Sequence, residues 1–451
     1  MAYTRPAPGD PGNSGPTSAT TIIDALSDGL ERLEARDPWV SARDYGIIND
    51  GYSAVVTLGS GTNPTLTLTS SIFSFAGFSA SDVGKAVHVG NGNTGADSWF
   101  RSTITSYISA SQVVLSGTPT NPGTGKHAII GTDNATAINA LFAALTVGQK
   151  AHFPGGEGFY FSTGSHQFNT TRGVLCGDGR GATRFVSTSA TGTLFTAAPE
   201  LLSYRPPDQE IHSFSVWHGA YYGWSAASLP TAGAGLAITE ATGVYWNGLV
   251  SNVEVNGFYN GAAIQVPYSE MDRCAFNSSV NAGLLIDSPN FDGGLARITR
   301  LSTEGSTYAV GAAGVLWRSG GGIVLGDSYF GLAQTGIRVE ATTAGGLTGD
   351  FAISGNIFEN QLTNGIHFST ASGVNLKYIT VGNNAFFCEA PVKMHAVSQY
   401  GISGVSVVGN AWKGTGPFLD LLNCRDVKAM NAVTDGGTEI TQSGCLNVDV
   451  Y

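Results

Sequence analysis

Charge is scarce in this 451-residue chain, with only 12% of residues charged. Asp and Glu (33) outnumber Lys and Arg (22), the net charge is -11, and no basic stripe appears anywhere. That excludes a nucleic-acid partner, because neutralising phosphates takes clustered Lys and Arg. Long apolar runs are also missing. None approaches the roughly 18 residues of a membrane-spanning helix, so no membrane insertion is expected. The charged-then-apolar pattern of a secretion signal is absent from the N-terminus, and the expectation is synthesis in a cytoplasm without a signal peptide. Cysteine is sparse and scattered: Cys176, Cys274, Cys388, Cys424 and Cys445 are odd in number, form no C-x-x-C pair and lie near no His cluster. They read as small buried hydrophobes, with no metal site and no cofactor.

What the chain has is glycine, 62 residues of it, together with abundant Ser, Thr, Asn, Val and Ile. This is the composition of many short strands joined by tight turns. A chain this long exceeds the usual single domain, but a solenoid escapes that limit because its core grows along an axis.

Periodicity sets in from residue 248. A short apolar strand leads to a polar residue, a spacer and usually an aromatic: Asn256-Gly257-Phe258, Cys274-Ala275-Phe276, Asp327-Ser328-Tyr329, Asn356-Ile357-Phe358, Asn384-Ala385-Phe386 and Asn410-Ala411-Trp412, with Leu301-Ser302-Thr303 filling the gap. The anchors fall at positions 256, 274, 301, 327, 356, 384 and 410. After a shorter first step they recur at a varying interval that is the length of one β-helix coil. Each coil has a second strand after a glycine, read as the corner: Gly283, Gly314, Gly336 and Gly365. Leucine-rich repeats and propellers fit worse, since the period varies and no Trp-Asp signature recurs. The expected fold is all-β, a right-handed parallel β-helix (β-solenoid) of about ten coils, with aromatics stacking and Asn side chains forming ladders.

Residues 39 to 187 carry four ordered motifs: Ala42-Arg43-Asp44-Tyr45-Gly46 with Asn49-Asp50-Gly51; Thr132 to Leu141; His152-Phe153-Pro154-Gly155-Gly156 followed by Tyr160; and Gly173 to Thr183. Together they resemble the opening of the pectate-lyase-like superfamily, shared by polygalacturonases and many phage tailspikes and minor tail proteins. The resemblance implies a first strand and turn, an N-terminal capping helix with Ile138, Leu141 and Leu145 on its covering face, and the turn that closes the first coil. Gly177-Asp178-Gly179-Arg180-Gly181 lacks the strand-to-helix context and Lys-Ser/Thr ending of a phosphate loop and is read as that turn. The chain departs from the pattern by an inserted β-rich domain over 52–131, similar to the small β domains near the front of phage tail proteins.

The expected organisation is then 1–38, a virion-docking arm and short neck helix; 39–51, the start of the β-helix; 52–131, the insert; and 132–451, the β-helix body. With Pro6, Pro8, Pro11 and Pro16, residues 1–19 are expected to be extended or ordered only by a partner. Ile22, Ile23, Leu26, Leu30 and Leu33 form a narrow stripe, either one amphipathic helix on the body or a short three-stranded neck.

For chemistry, Glu304 and Glu359 each lie three residues after an anchor, two coils apart, near the spacing of an inverting glycosidase. Glu389 and Asp327 are further carboxylates in the same series. Solvated turn residues are the competing reading. A lyase is ranked below a hydrolase, since Arg300, Arg318, Arg338 and Lys393 form no evident cluster, and His367 and His395 read as hydrogen-bonded coil residues. For binding, Trp217, His218, Tyr221, Tyr222 and Trp224, with Trp246 shortly after, crowd together as a glycan platform or a subunit interface. The resulting expectation is a homotrimeric phage tail protein. It is attached to other tail or baseplate proteins through its N-terminus and recognises a host cell-surface polysaccharide, with glycan degradation an open question. The alternatives are a non-catalytic structural tail component and a bacterial polysaccharide lyase or glycoside hydrolase.

Overall fold

Alternation of apolar and polar residues makes short strands, and stacking those strands in register makes a solenoid; the computed structural model follows this plan along the body. It describes residues 39–71, 75–95, 98–170, 172–197, 209–220, 229–239, 248–265, 269–288, 295–305, 311–319, 322–341, 350–388, 390–414, 417–430 and 440–451. The arm and helix read from residues 1–38 lie outside them. The chain divides after Trp39, and the architecture that follows is that of Val40–Tyr451.

Two parallel sheets run along the body: a 21-stranded sheet made of paired long and short strand segments, and an 11-stranded sheet from His166–Phe168 to Ile440–Ser443. From Lys150–Phe153 onward the strand pairs in them are parallel, each strand bonding to its equivalent one coil away, as in Val324↔Ala352↔Thr380↔Ser406. This is a parallel β-helix, right-handed as parallel crossovers are. One continuous apolar core fills its interior.

That interior is ordered by two stacks. Phe330, Phe358 and Phe386 lie ring on ring, with centroids 4.9 and 4.7 Å apart and planes within 12°. Beside them runs a polar ladder: Asn410 Oδ1 accepts from Asn384 N and Nδ2 (both 3.0 Å), and Asn384 Oδ1 from Asn356 N (3.0 Å) and Nδ2 (2.9 Å). Asn356 Oδ1 then accepts from Ser328 N, and Ser328 Oγ from Leu301 N. The ladder corrects two anchors. Ser328, not Asp327, aligns with Asn356, and the inward aromatic of that coil is Phe330 while Tyr329 faces out. Asn256 lies opposite Asn277, so Val253 takes the place opposite Cys274. With these two changes the equivalent positions Cys274, Leu301, Ser328, Asn356, Asn384 and Asn410 recur almost evenly along the chain.

The glycines after the aromatics also do something other than turn a corner. Gly314, Gly336 and Gly365 lie inside strands, where a Cβ would approach the rings of Phe330, Phe358 and Phe386 to 2.8, 2.6 and 2.6 Å. They are glycine because the stacked rings pack flat on the backbone. The residues with left-handed backbone are instead the corner column Arg300, Asp327, Gly355, Asn383 and Gly409.

The N-terminal end is closed by the helix Ala135–Ala144, with Ile138, Leu141 and Phe142 buried against the first coil. Asn134 ties it down. Its Oδ1 accepts from Ile48 N (2.8 Å) and its Nδ2 donates to Ile48 O and Phe161 O. His166 joins helix to coil, its Nδ1 against Asn139 Oδ1 at 2.8 Å and its Nε2 against Ser162 Oγ at 2.7 Å. A neutral ring satisfies both, Nδ1 donating and Nε2 accepting. Burial pushes its pKa down to about 4, against a smaller upward pull from Asp133. An unfolded histidine takes its proton near pH 6.5. Stability is therefore intact above pH 6.5 and falls as pH drops towards 4, by about 3 kcal/mol through this residue. Denaturant titrations at pH 7 and 4.5 should show that loss, and His166→Gln should reduce it.

Residues 52–131 form a closed antiparallel barrel from Tyr52–Leu58 to Gly123–Gly131 with its own core. It is docked on the outer face of the first coils. Trp99 and Ile129 of the barrel share an apolar cluster with Phe159, Phe161 and Val186, and Arg101 donates to Thr188 O.

Candidate functional site

The short strands Ser302–Thr303, Tyr329–Phe330, Ile357–Glu359 and Ala385–Phe387 are stacked in register on one face of the β-helix. Thr303, Phe330, Phe358 and Phe386 point into the core, so the residue after each points out. That outward column reads Glu304, Gly331, Glu359 and Phe387. Glu304 and Glu359 are two rungs apart, roughly 9 to 10 Å between backbones.

Gly331 decides how they communicate. A Cβ there would stand 3.1 Å from the Tyr329 hydroxyl and 3.2 Å from Glu304 Cγ. With glycine, the Tyr329 ring folds across the middle rung and its hydroxyl donates to Glu359 Oε2 at 3.0 Å. Desolvation, then the hydrogen bond to Glu359, then the charges of Glu359 and Glu304 push the phenol up to about 12, so it remains a donor at neutral pH. Glu304 is exposed, and its backbone N–H donates to Asn277 Oδ1 at 3.1 Å. Beneath it lies a crevice of about 10 Å³, room for at most one water. Ile357 (44% exposed) and Phe387 (51%) present apolar surface next to the carboxylates. The site is an open face, not an enclosed pocket.

Of the remaining expected residues, Asp327 is exposed in the left-handed corner column, off the line of the two glutamates. Trp217 does share the outward column of Glu304, three rungs away through Asn256 and Asn277. It is half-buried against the barrel seam with Trp99 and Ile129. His218, its neighbour in sequence, is fully buried. Its Nε2 lies 3.0 Å from Ser189 O, its Nδ1 accepts from Ala220 N, and its ring packs edge-on against Phe258 and Trp99. It is a strut between coil and barrel and has no surface to offer a glycan. Glu389, Tyr221, Tyr222, Trp224 and Trp246 lie outside the described residues.

Asp178, in the glycine-rich turn, clasps that turn. It bonds His152 Nε2 at 2.7 Å and accepts from Gly155 N at 2.8 Å, and these two bonds, the backbone one foremost, lower its pKa. Among the described residues no group of three or more His, Cys, Asp or Glu is assembled for a metal, and no helix is long and apolar enough to cross a membrane.

Three residues of the face escaped sequence reasoning: Gly331, Phe387 and the outward role of Tyr329. The usable signal was the pair Tyr329-Phe330, two adjacent aromatics of which only one can face the core.

No protein-family model matches the chain, and no curated protein matches it. Among solved structures it is similar to the catalytic unit of a GH87 alpha-1,3-glucanase from Streptomyces thermodiastaticus, at 12% identity over 90% of this chain and 84% of that one, TM-score 0.43. It is similar to a family 28 exopolygalacturonase of Yersinia enterocolitica, at 10% over 88% and 98%, TM-score 0.44. A third is the A-module of an Azotobacter vinelandii mannuronan C-5 epimerase, at 13% over 71% and 91%, TM-score 0.42. At this degree of likeness nothing about the reaction transfers, and chemistry rests on the side chains of the face itself.

Proposed function

We propose that this chain is a glycan-recognising phage tail protein that lays a polysaccharide along the column Glu304, Tyr329, Glu359 and Phe387. The observation that carries the reading is the pairing of exposed apolar surface with polar groups on one rigid ladder. Sugar rings place their C–H faces on Phe387 and Ile357, and their hydroxyls find Glu304, Glu359 and the Tyr329 hydroxyl. Repeating rungs suit a repeating ligand. The barrel on the first coils and the resemblance of the N-terminal motifs support a place in a virion tail, with attachment through residues 1–38. A homotrimer fits the large apolar side chains left exposed on later coils, among them Tyr378, Val397 and Met430.

Hydrolysis is the second reading, favoured by the two-rung separation of Glu304 and Glu359, which leaves room for a water opposite the scissile bond. In it Glu359, oriented by Tyr329, activates the water, and Glu304 protonates the leaving oxygen. An acid that keeps its proton is normally enclosed by apolar groups, and Glu304 is open to solvent. Recognition therefore stands first.

The test is binding of purified chain to capsule or cell-wall glycans of candidate hosts, with sedimentation in parallel. Phe387→Ala should weaken binding by about tenfold and leave the thermal midpoint within a few degrees of wild type. Unchanged binding in that variant removes the column as the platform, and a monomer at micromolar concentration removes the trimer.

A further inference from the structure

The 11-stranded sheet has an outer face of its own, remote in role from the carboxylate column. Its strands Ala313–Ser319, Thr335–Ala341, Asn364–Thr370, Val392–Ala396 and Leu419–Leu422 put Leu316, Arg338, His367, Lys393 and Asp420 in one row. Val339, Phe368 and Met394 are buried on the inner side, so this row points outward. In a chain of net charge -11 and 12% charged residues, three nitrogen-bearing side chains on consecutive rungs, ~4.8 Å apart, are out of the ordinary.

Most of their donors are unspent. Arg338 gives one terminal nitrogen to Glu340, which Arg318 also approaches at 3.7 Å, while the Arg338 Nε is shielded from water and has no acceptor. No acceptor lies within bonding distance of Lys393 among the described residues. His395, one rung along and beside the row, is already committed to Asp420, 2.9 Å from Nε2 to Oδ2, and Thr441 holds the other oxygen of that carboxylate. The acids on this face are thus engaged, Glu340 by the two arginines and Asp420 by His395 and Thr441, and the Lys393 ammonium and the Arg338 Nε are left without an acceptor among the described residues.

We infer that Arg338, His367 and Lys393 form a second glycan site on the opposite sheet that grips an anionic substituent, a carboxylate or phosphate, of the polysaccharide. Arginine offers a planar fork and lysine a point charge from either side, with the imidazole as the floor between them. The His367 ring is held neutral, its pKa pushed down to about 4 by burial first and then by Lys393, Arg338 and His395, against an opposing pull from Asp420. An anion seated between the two cations reverses the local field, so binding and proton uptake at His367 are linked. The inference takes only the class of ligand from the proposed function. It does not use Glu304, Tyr329 or Glu359.

The experiment is calorimetric titration of the full chain, at low salt and at near-physiological salt, with a galacturonate tetramer, the matching neutral galactose tetramer, and inorganic phosphate. The ring signals of His367 are followed by NMR in parallel. Expected are at least tenfold tighter binding of the acidic than the neutral tetramer, weakening with salt, and an upward shift of the His367 titration when the acid is bound. Lys393→Met and Arg338→Gln should each lose tenfold or more, Lys393→Arg should retain binding, and removal of an exposed cation on the other sheet, Lys428→Met, should leave it unchanged. Phosphate bound with the same variant pattern, without the tetramer, supports the site and assigns it to phosphate-bearing glycans. Equal affinity for acidic and neutral tetramers with no phosphate binding, or anion binding indifferent to both losses of charge, overturns it. Loss of acid binding in Glu359→Gln alone would place the ligand on the carboxylate column instead.

Discussion

On the hydrolytic reading, Glu359→Gln, incubated with the glycan that the wild-type chain binds, should release oligosaccharide at least a hundredfold more slowly than wild type while still binding the polymer. The amide keeps the shape of the side chain and still meets the Tyr329 hydroxyl, but it cannot take a proton from water, and general-base assistance is worth roughly 10² to 10⁴ in rate. Glu304→Gln should show a similar deficit, relieved for substrates with a good leaving group because the missing step is protonation of the leaving oxygen. Mass spectrometry of the soluble fraction reads both. Wild-type release that persists in both variants would move the chemistry elsewhere on the molecule. Binding with no release at all would leave the column as a platform and retire the hydrolytic reading without touching recognition.

The second large effect concerns stability. Asn384→Leu should lower unfolding free energy by about 3 to 5 kcal/mol, read as a fall in denaturant midpoint. Asn384 is 1% exposed. It accepts two hydrogen bonds from Asn356 and donates to Ile353 O (3.0 Å) and Asn410 Oδ1. Leucine fills the space but strands the Asn356 backbone N–H and one hydrogen of its carboxamide without water and removes the donor to Ile353 O, while Asn410 Oδ1 keeps only the bond from the backbone N–H of residue 384. A solenoid is stabilised coil by coil through nearest neighbours, so amide exchange should accelerate first in the coils of Asn356 and Asn410. An equal loss from Asn360→Leu, at an exposed left-handed turn residue, would mean that the effect is one of general surface polarity and not of the ladder.

Much of this architecture could be read before any coordinates because its signals are local. Strand alternation, the regularly recurring Asn and aromatic anchors, the short β-runs of the insert and the Ile138, Leu141 face of the cap each depend on residues close together in the chain. The two-coil relation of Glu304 and Glu359 followed from the same period, since both stand three residues after a true anchor. Errors arose where two neighbouring residues competed for one inward place. In Asp327-Ser328-Tyr329-Phe330 the polar pair and the aromatic pair each admit two registers, and only the Asn356 carboxamide in the next coil selects Ser328 and Phe330.

The aromatic crowd around Trp217 shows the same limit at longer range. Trp217 and His218 are adjacent and chemically alike as sugar partners, yet strand alternation sends them to opposite sides and the docked barrel covers what remains. The donor row Arg338, His367 and Lys393 was invisible as a cluster because each member belongs to a different coil, a full period from the next. Period, strand face and cap are properties of short stretches, so composition and spacing determined the solenoid and its insert. Register to a single residue, the glycines beneath the ring stack, the Tyr329 bridge and the assembly of the donor row depend on what the neighbouring coil presents. Tertiary stacking alone decided them, because each is a contact between segments that are distant in the chain and only one rung apart in space.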